Sequence, residues 1–145
     1  MNIIPVLLFV LSLLGMELVA WFTHKYVMHG FLWVLHKDHH YIPRKTFERN
    51  DLFAVIFAIP SFLLIIEGAR HGWDNRVWIG AGIAGYGVCY FVFHDLLYHQ
   101  RIKIFNQQSN WYFRVLVKAH CDHHAGKKNY GFLFMFPWKY FKQVK

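Results

Sequence analysis

A chain of 145 residues that is 56% hydrophobic, 20% aromatic and only 17% charged has room for one domain, 1–145, and a composition unlike that of a water-soluble one. Its net charge of +8 calls for an anionic partner. The chain carries no nucleic-acid-binding module, so lipid headgroups and acidic proteins are left and nucleic acid is set aside.

The apolar residues fall into three runs. The first, IIPVLLFVLSLLGM at 3–16, has no charge and continues past Glu17 as LVAWF, which predicts a membrane helix over 3–23. It is a poor signal peptide, because the first positive charge is Lys25. Glu17 lies seven residues before His24, on the same side of a continuous helix, where it either orients that histidine from behind or makes a packing contact. His24 and His29 then form H-x4-H, and His36, His39 and His40 form H-x2-HH. Asn50 and Asp51 read as the N-cap and first-turn acid of a second helix, 51–67. A third run, VWIGAGIAGYGVCYFVF, predicts a helix over 77–94. After it His94 and His99 repeat the pair, and His120, His123 and His124 repeat the triplet. The eleventh histidine, His71, stands alone between helices two and three.

This order predicts an all-α integral-membrane helical bundle. It has three transmembrane helices, or four if a hydrophobic stretch around 131–141 also enters the bilayer, and a cytoplasmic histidine-rich cap. Segments 24–50 and 95–145 share one side and hold 14 of the 16 Lys and Arg, which makes that side cytoplasmic and the membrane the inner one. Both sets of five histidines therefore emerge on one face, where they can converge.

Neutral imidazole is the commonest side-chain metal ligand. On a helix, H-x2-HH points all three rings at one target. H-x4-H is misaligned by about 140° at 3.6 residues per turn, so it needs a π-bulge, a helix end or two different targets. Ten imidazoles shared by two ions give about five each, and a six-coordinate ion keeps one position open. Bis-histidine haem would place single histidines well inside paired helices, and a transporter would want polar groups at the bilayer midplane. Asp38, Asp95 and Asp122 are candidates for the second ring N–H of a ligand histidine, or are solvated charges. Cys121 is a candidate ligand or a bystander thiol, and a disulfide to Cys89 is not expected.

The segments GMELVAWFTHKYVMHG, HKDHH, FERNDLFAVIFA, YFVFHDLLYHQR, KAHCDHH and GFLFMFP, from Gly15 to Pro137, resemble the integral-membrane di-iron hydroxylase and desaturase superfamily, and within it the bacterial β-carotene hydroxylases. The resemblance implies two iron ions bound by His24, His29, His36, His39, His40, His94, His99, His120, His123 and His124. It implies O2 as co-substrate and hydroxylation of carbon 3 of carotenoid β-ionone rings, from β-carotene through β-cryptoxanthin to zeaxanthin. A related lipid oxygenase, or a non-enzymatic metal-binding or transport protein, is the alternative. No cysteine quartet or flavin motif is present, so electrons come from another protein, reduced ferredoxin or similar, with Lys127 and Lys128 as candidate contacts. Tyr26, Phe31, Trp33, Tyr98, Phe132 and Phe134 flank the histidines and either line the substrate's approach or pack in the core. The stretch IKIFNQQSNWYFRVLV departs from the family by lacking its Pro- and Gly-bearing basic loop, and the tail after His124 is short.

Overall fold

The computed structural model describes residues 2–41, 47–107, 109–133 and 138–144, and among these every regular element is helical. Helix α1 (Ile4–Phe22) has a proline in its first turn, where a missing N–H costs no intrahelical bond. It runs without a break into a π-helical segment, Thr23–Phe31. Gly30 leaves helical geometry there, with φ −106° and ψ −124°, and α2 (Trp33–Tyr41) sets off in a new direction. Helices α3 (Asp51–Arg70) and α4 (Asn75–Tyr90) form a hairpin, and α4 continues as a second π-helical segment, Phe91–Tyr98. Helix α5 (Trp111–His124) and the short α6 (Lys139–Gln143) complete the chain.

Three helical stretches are long and apolar enough to cross a membrane: Ile4–Phe31, Asp51–Arg70 and Asn75–Tyr98. The shortest has 20 residues, about 30 Å at 1.5 Å per residue, the thickness of the hydrocarbon core. Leu11, Leu18, Ile59, Phe62 and Val88 on these stretches are more than half exposed, which places them against lipid tails. The protein is a membrane protein. The possible fourth crossing falls partly on residues 134–137, outside the described residues, as does Phe134. On either side, Phe132 and Leu133 are buried and α6 has only five residues.

Helix α4 is the centre of the bundle and packs on both α1 and α3. The sequence allows this through small residues. A Cβ on Gly80 would stand 2.7 Å from the Ser61 carbonyl oxygen, and one on Gly82 would stand 2.5 Å from that of Phe9. The Ser61 hydroxyl donates to the Gly80 carbonyl at 2.7 Å, across the same contact. All three stretches extend past the bounds their hydropathy predicts: α3 by three residues to Arg70, and the other two to Phe31 and Tyr98, where the π-helical segments carry the hydrogen-bond ladder through the polar histidine pairs.

At the end where those pairs lie, α5 packs across the second π-helical segment through Leu97, Tyr98, Leu116 and Val117. Tyr140 of α6 is fully buried against Val115 and Ala119. Glu17, 2% exposed within α1, accepts from the Tyr86 hydroxyl at 2.6 Å and from the amides of Phe132 and Leu133 at 3.3 and 3.0 Å. One carboxylate thus ties α1 to α4 and to the segment after α5.

Candidate metal centre

His24 and His29 lie within the first π-helical segment, and His94 lies within the second, which His99 caps. There the hydrogen bond spans five residues instead of four: the amide of His99 donates to the carbonyl of His94 at 3.0 Å, and that of Leu32 to Val27 at 3.0 Å. A five-residue step then returns to the same face. His24 Nε2 and His29 Nε2 lie 3.2 Å apart, and the rings of His94 and His99 have centroids 4.7 Å apart. His24 and His29 therefore serve one target, and the second pair brings its two rings side by side.

The histidines form two groups. The first holds His24, His29, His36, His40 and His123; the second holds His39, His99, His120 and His124; in each, one ring nitrogen per residue lies within 4.8 Å of all the others. His94 stands at the rim of the second group, with its ring centroid 4.7 Å from His39 and 5.0 Å from His120. The groups adjoin, for the rings of His40 and His124 stack at 4.2 Å. His71 lies apart at the far end of α3, exposed, with Nδ1–H donating to the Glu67 carbonyl at 2.7 Å.

The triplets correct one expectation. Neither aims all three rings at one target. His36 and His40 join the first group while His39 joins the second, and His120 and His124 join the second while His123 joins the first. Helix geometry is the reason. A four-residue step overshoots a full turn by about 40°, whereas a three-residue step falls short by about 60°, so the middle histidine points the other way. The first group thus takes a whole pair, the outer histidines of one triplet and the middle histidine of the other; the second has the same triplet pattern with His99, and His94 stands at its rim.

The chemistry of these donors suits metal ions. His24 donates from Nδ1 to the Tyr130 carbonyl at 3.0 Å, His36 to Asn50 Oδ1 at 2.7 Å, His39 to Glu48 Oε2 at 2.8 Å and His94 to Asp95 Oδ1 at 2.7 Å. These acceptors fix the tautomer and leave each Nε2 as the acceptor nitrogen, as in ligand histidines backed by an outer acceptor; at His94 the Tyr90 hydroxyl lies 3.3 Å from it. Among the described residues, His39 Nε2 and His124 Nε2 are buried without a hydrogen-bond partner, which an ion would satisfy. Burial, reinforced by neighbouring imidazoles, holds the rings neutral. His36 and His123 are lowered to about 3, His40 to about 4 and His124 to about 2, and His39 and His120 lie well below the ordinary value.

Of the three aspartates, only Asp95 accepts a ring N–H. Asp38 accepts the amides of His39 and Arg49, and Asp122 pairs with Lys118 and Lys127. Glu48, Asn50 and the Tyr130 carbonyl supply the rest, and sequence reasoning missed them. Asn50 does stand at the head of α3, but its side chain serves His36 instead of capping the helix. The clustering of Glu48, Asn50 and Asp51 between a histidine triplet and an apolar run was the available signal. Arg101 binds this cluster together, 2.7 Å from Asp51, 3.2 Å from Glu48 and 3.9 Å from Asp95. Cys121 is exposed and belongs to neither group.

Comparison with known proteins agrees with this geometry. The profile of the fatty acid hydroxylase family matches residues 9–142, nearly the whole chain. The β-carotene hydroxylase of Pantoea ananas is 44% identical over 131 residues, 87% of this chain and 74% of its own length. That of Paracoccus sp. (strain PC1) is 39% identical over 143 residues, 94% of this chain and 88% of its own. The chain belongs to the fatty acid hydroxylase family, among its β-carotene hydroxylases. The chloroplastic β-carotene 3-hydroxylase of Gentiana lutea is 38% identical over 129 residues, 85% of this chain and 40% of its own. No solved structure matches the chain.

This hydroxylase has an apolar cavity of about 610 Å³ beside its histidine groups, within the range of small-molecule sites. Its inner end is formed by Asn50, Asp95, Tyr90 and Phe132. Tyr90 stacks on His94 at 4.4 Å, and Phe132 stacks on His24 at 4.5 Å. The walls are Met16, Phe53, Phe57, Ile83 and Tyr86 from α1, α3 and α4. Phe62, Val88 and Phe91 also line it and are 61%, 64% and 47% exposed, so the mouth opens sideways between α3 and α4, at membrane depth. Of the aromatic residues expected along the approach, Phe132 alone among the described residues lines this cavity. Tyr26 and Phe31 point outward, Trp33 packs on His29 at 5.2 Å, and Tyr98 is buried with its hydroxyl on the Phe132 carbonyl at 2.8 Å.

Proposed function

We propose that this hydroxylase, a single domain over 1–145, inserts one oxygen atom of O2 into carbon 3 of carotenoid β-ionone rings, converting β-carotene to β-cryptoxanthin and then to zeaxanthin. The observation that carries the reading is the lipid-open apolar cavity whose inner end is formed by residues in contact with both histidine groups. Two iron ions held by His24, His29, His36, His40 and His123 and by His39, His94, His99, His120 and His124 would supply O2 reduction and C–H oxygenation. The balance is one O2, two electrons and two protons taken up for one hydroxyl and one water released.

The chain's own residues do the positioning. Phe53, Phe57 and Ile83 take an apolar ring out of the bilayer without exposing it to water, and the sideways mouth lets the polyene stay among lipid tails. Tyr90 and Phe132 cover the face of the histidine groups that meets the substrate, which limits how deep a ring can go. Glu17, through the Phe132 and Leu133 amides, holds that cover in place. The one-sided distribution of Lys and Arg supports a histidine cap on the cytoplasmic face of the inner membrane. An acidic electron donor such as reduced ferredoxin suits the exposed Lys127 and Lys128 by charge, although Lys127 is also paired with Asp122 at 2.8 Å.

Expression in a β-carotene-producing bacterium tests this reading by pigment chromatography. Zeaxanthin should accumulate with the wild-type chain. His36→Ala and His120→Ala should yield none, and His71→Ala should leave conversion unchanged. A keto-carotenoid product, or unchanged pigment with intact iron-loaded protein, would count against 3-hydroxylation.

A further inference from the structure

The two histidine groups differ in what stands behind them. In the first group the outward Nδ1–H bonds of His24 and His36 run to neutral acceptors, the Tyr130 carbonyl and the Asn50 amide. In the second those of His39 and His94 run to the carboxylates of Glu48 and Asp95. The second set is well buried: the His39 and His94 side chains are each 1% exposed, and Glu48 and Asp95 are 8% and 11% exposed. Asp51 adds a third carboxylate, and among the described residues Arg101 is the one guanidinium within 4 Å of all three. Glu17 is also buried, but its described bonds go to Tyr86 and two backbone amides instead of a ring N–H.

A carboxylate on the outer N–H draws that proton toward itself and makes the inner nitrogen a stronger electron donor. A neutral carbonyl or amide does so less. The excess negative charge around Arg101 also favours a cation nearby, and burial keeps water from screening it. We infer that the two ion positions are unequal: the group of His39, His94, His99, His120 and His124 binds its ion first and holds it longer, and Glu48 and Asp95 are the positioning residues that make it so. This inference rests on the reading of the histidines as a two-ion centre. It assigns the groups distinct roles, one a permanent anchor and the other a position that loads last.

The test is a titration with Co²⁺ of purified, chelator-stripped protein in detergent, followed by visible absorption and calorimetry. The wild type should bind two ions in two resolved steps. Glu48→Gln should weaken the first step by about 10–100-fold while the second stays in place, and Glu48→Asp should recover part of the loss. Asn50→Ala should weaken the second step and leave the first. If Glu48→Gln does not fold, by circular dichroism, Asp95→Asn carries the same expectation. Two equal steps in the wild type, or a Glu48→Gln effect confined to the second step, would overturn the inference. Folded wild-type protein that binds no cobalt would overturn instead the two-ion reading beneath it.

Discussion

A buried imidazole that stays neutral has a pH signature. In the unfolded chain these histidines titrate near ~6.5. In the folded metal-free protein His36, His40, His123 and His124 titrate at about 3, 4, 3 and 2. Above the unfolded value both states are neutral and the group contributes nothing to the pH dependence. Below it the unfolded state binds protons that the folded state refuses, so stability falls as pH falls from about 6.5 toward the folded values, by at most ~1.4 kcal/mol per pH unit for each histidine. Thermal melts of chelator-treated protein between pH 7.5 and 5 should therefore show a falling midpoint on the acid side, and adding metal should restore it, because bound ions exclude the protons. A flat profile would mean the rings are not buried as neutral groups. At this scale the sequence was informative about ligands and poor about their supports. Ten histidines in repeated spacings announce themselves, but the partners of His36 and His39 lie 14 and nine residues away, beyond the reach of any helical period.

At the scale of elements, two features explain the site. One is the π-helical segment, foreseen as one way to reconcile H-x4-H with a single target and found at both pairs. The other is the splitting of each triplet, which treating three and four steps as equivalent concealed. Both are matters of angle, and angle is legible only once the backbone type is known. The helices that carry the pairs depend on close packing around α4. Gly82→Val should lower the detergent melting temperature by an amount equivalent to about 1–3 kcal/mol, because its Cβ would stand 2.5 Å from a backbone oxygen that cannot yield. Gly87→Ala, whose Cβ meets nothing within 4 Å, is the control and should shift it little.

At the scale of the molecule, hydropathy and histidine grouping predicted the same topology, with three crossings and both sets of five on one side. The structure agrees: rings from distant parts of the chain touch, as His39 does His99 at 4.2 Å. The cavity was not legible, since it is made of ordinary apolar residues from three helices whose relative rotation no run of hydrophobic letters encodes. Its sideways mouth leads to a whole-molecule prediction. Ala84 lines the cavity and is exposed. Ala84→Trp should cut carotenoid conversion about tenfold or more while iron content and melting temperature hold. Conversion at the wild-type rate would mean the substrate arrives by another path.

The crossing-over of the middle histidines has one more consequence. His39 and His123 each leave the group of their own helix to join the other, so α2 and α5 both contribute rings to the two groups at once. Neither group includes an Asp or Glu that could span the gap. The separation of the two groups is therefore ruled off by the pitch of two rigid helices, as teeth are spaced on a comb, and ions held there would be unable to drift independently.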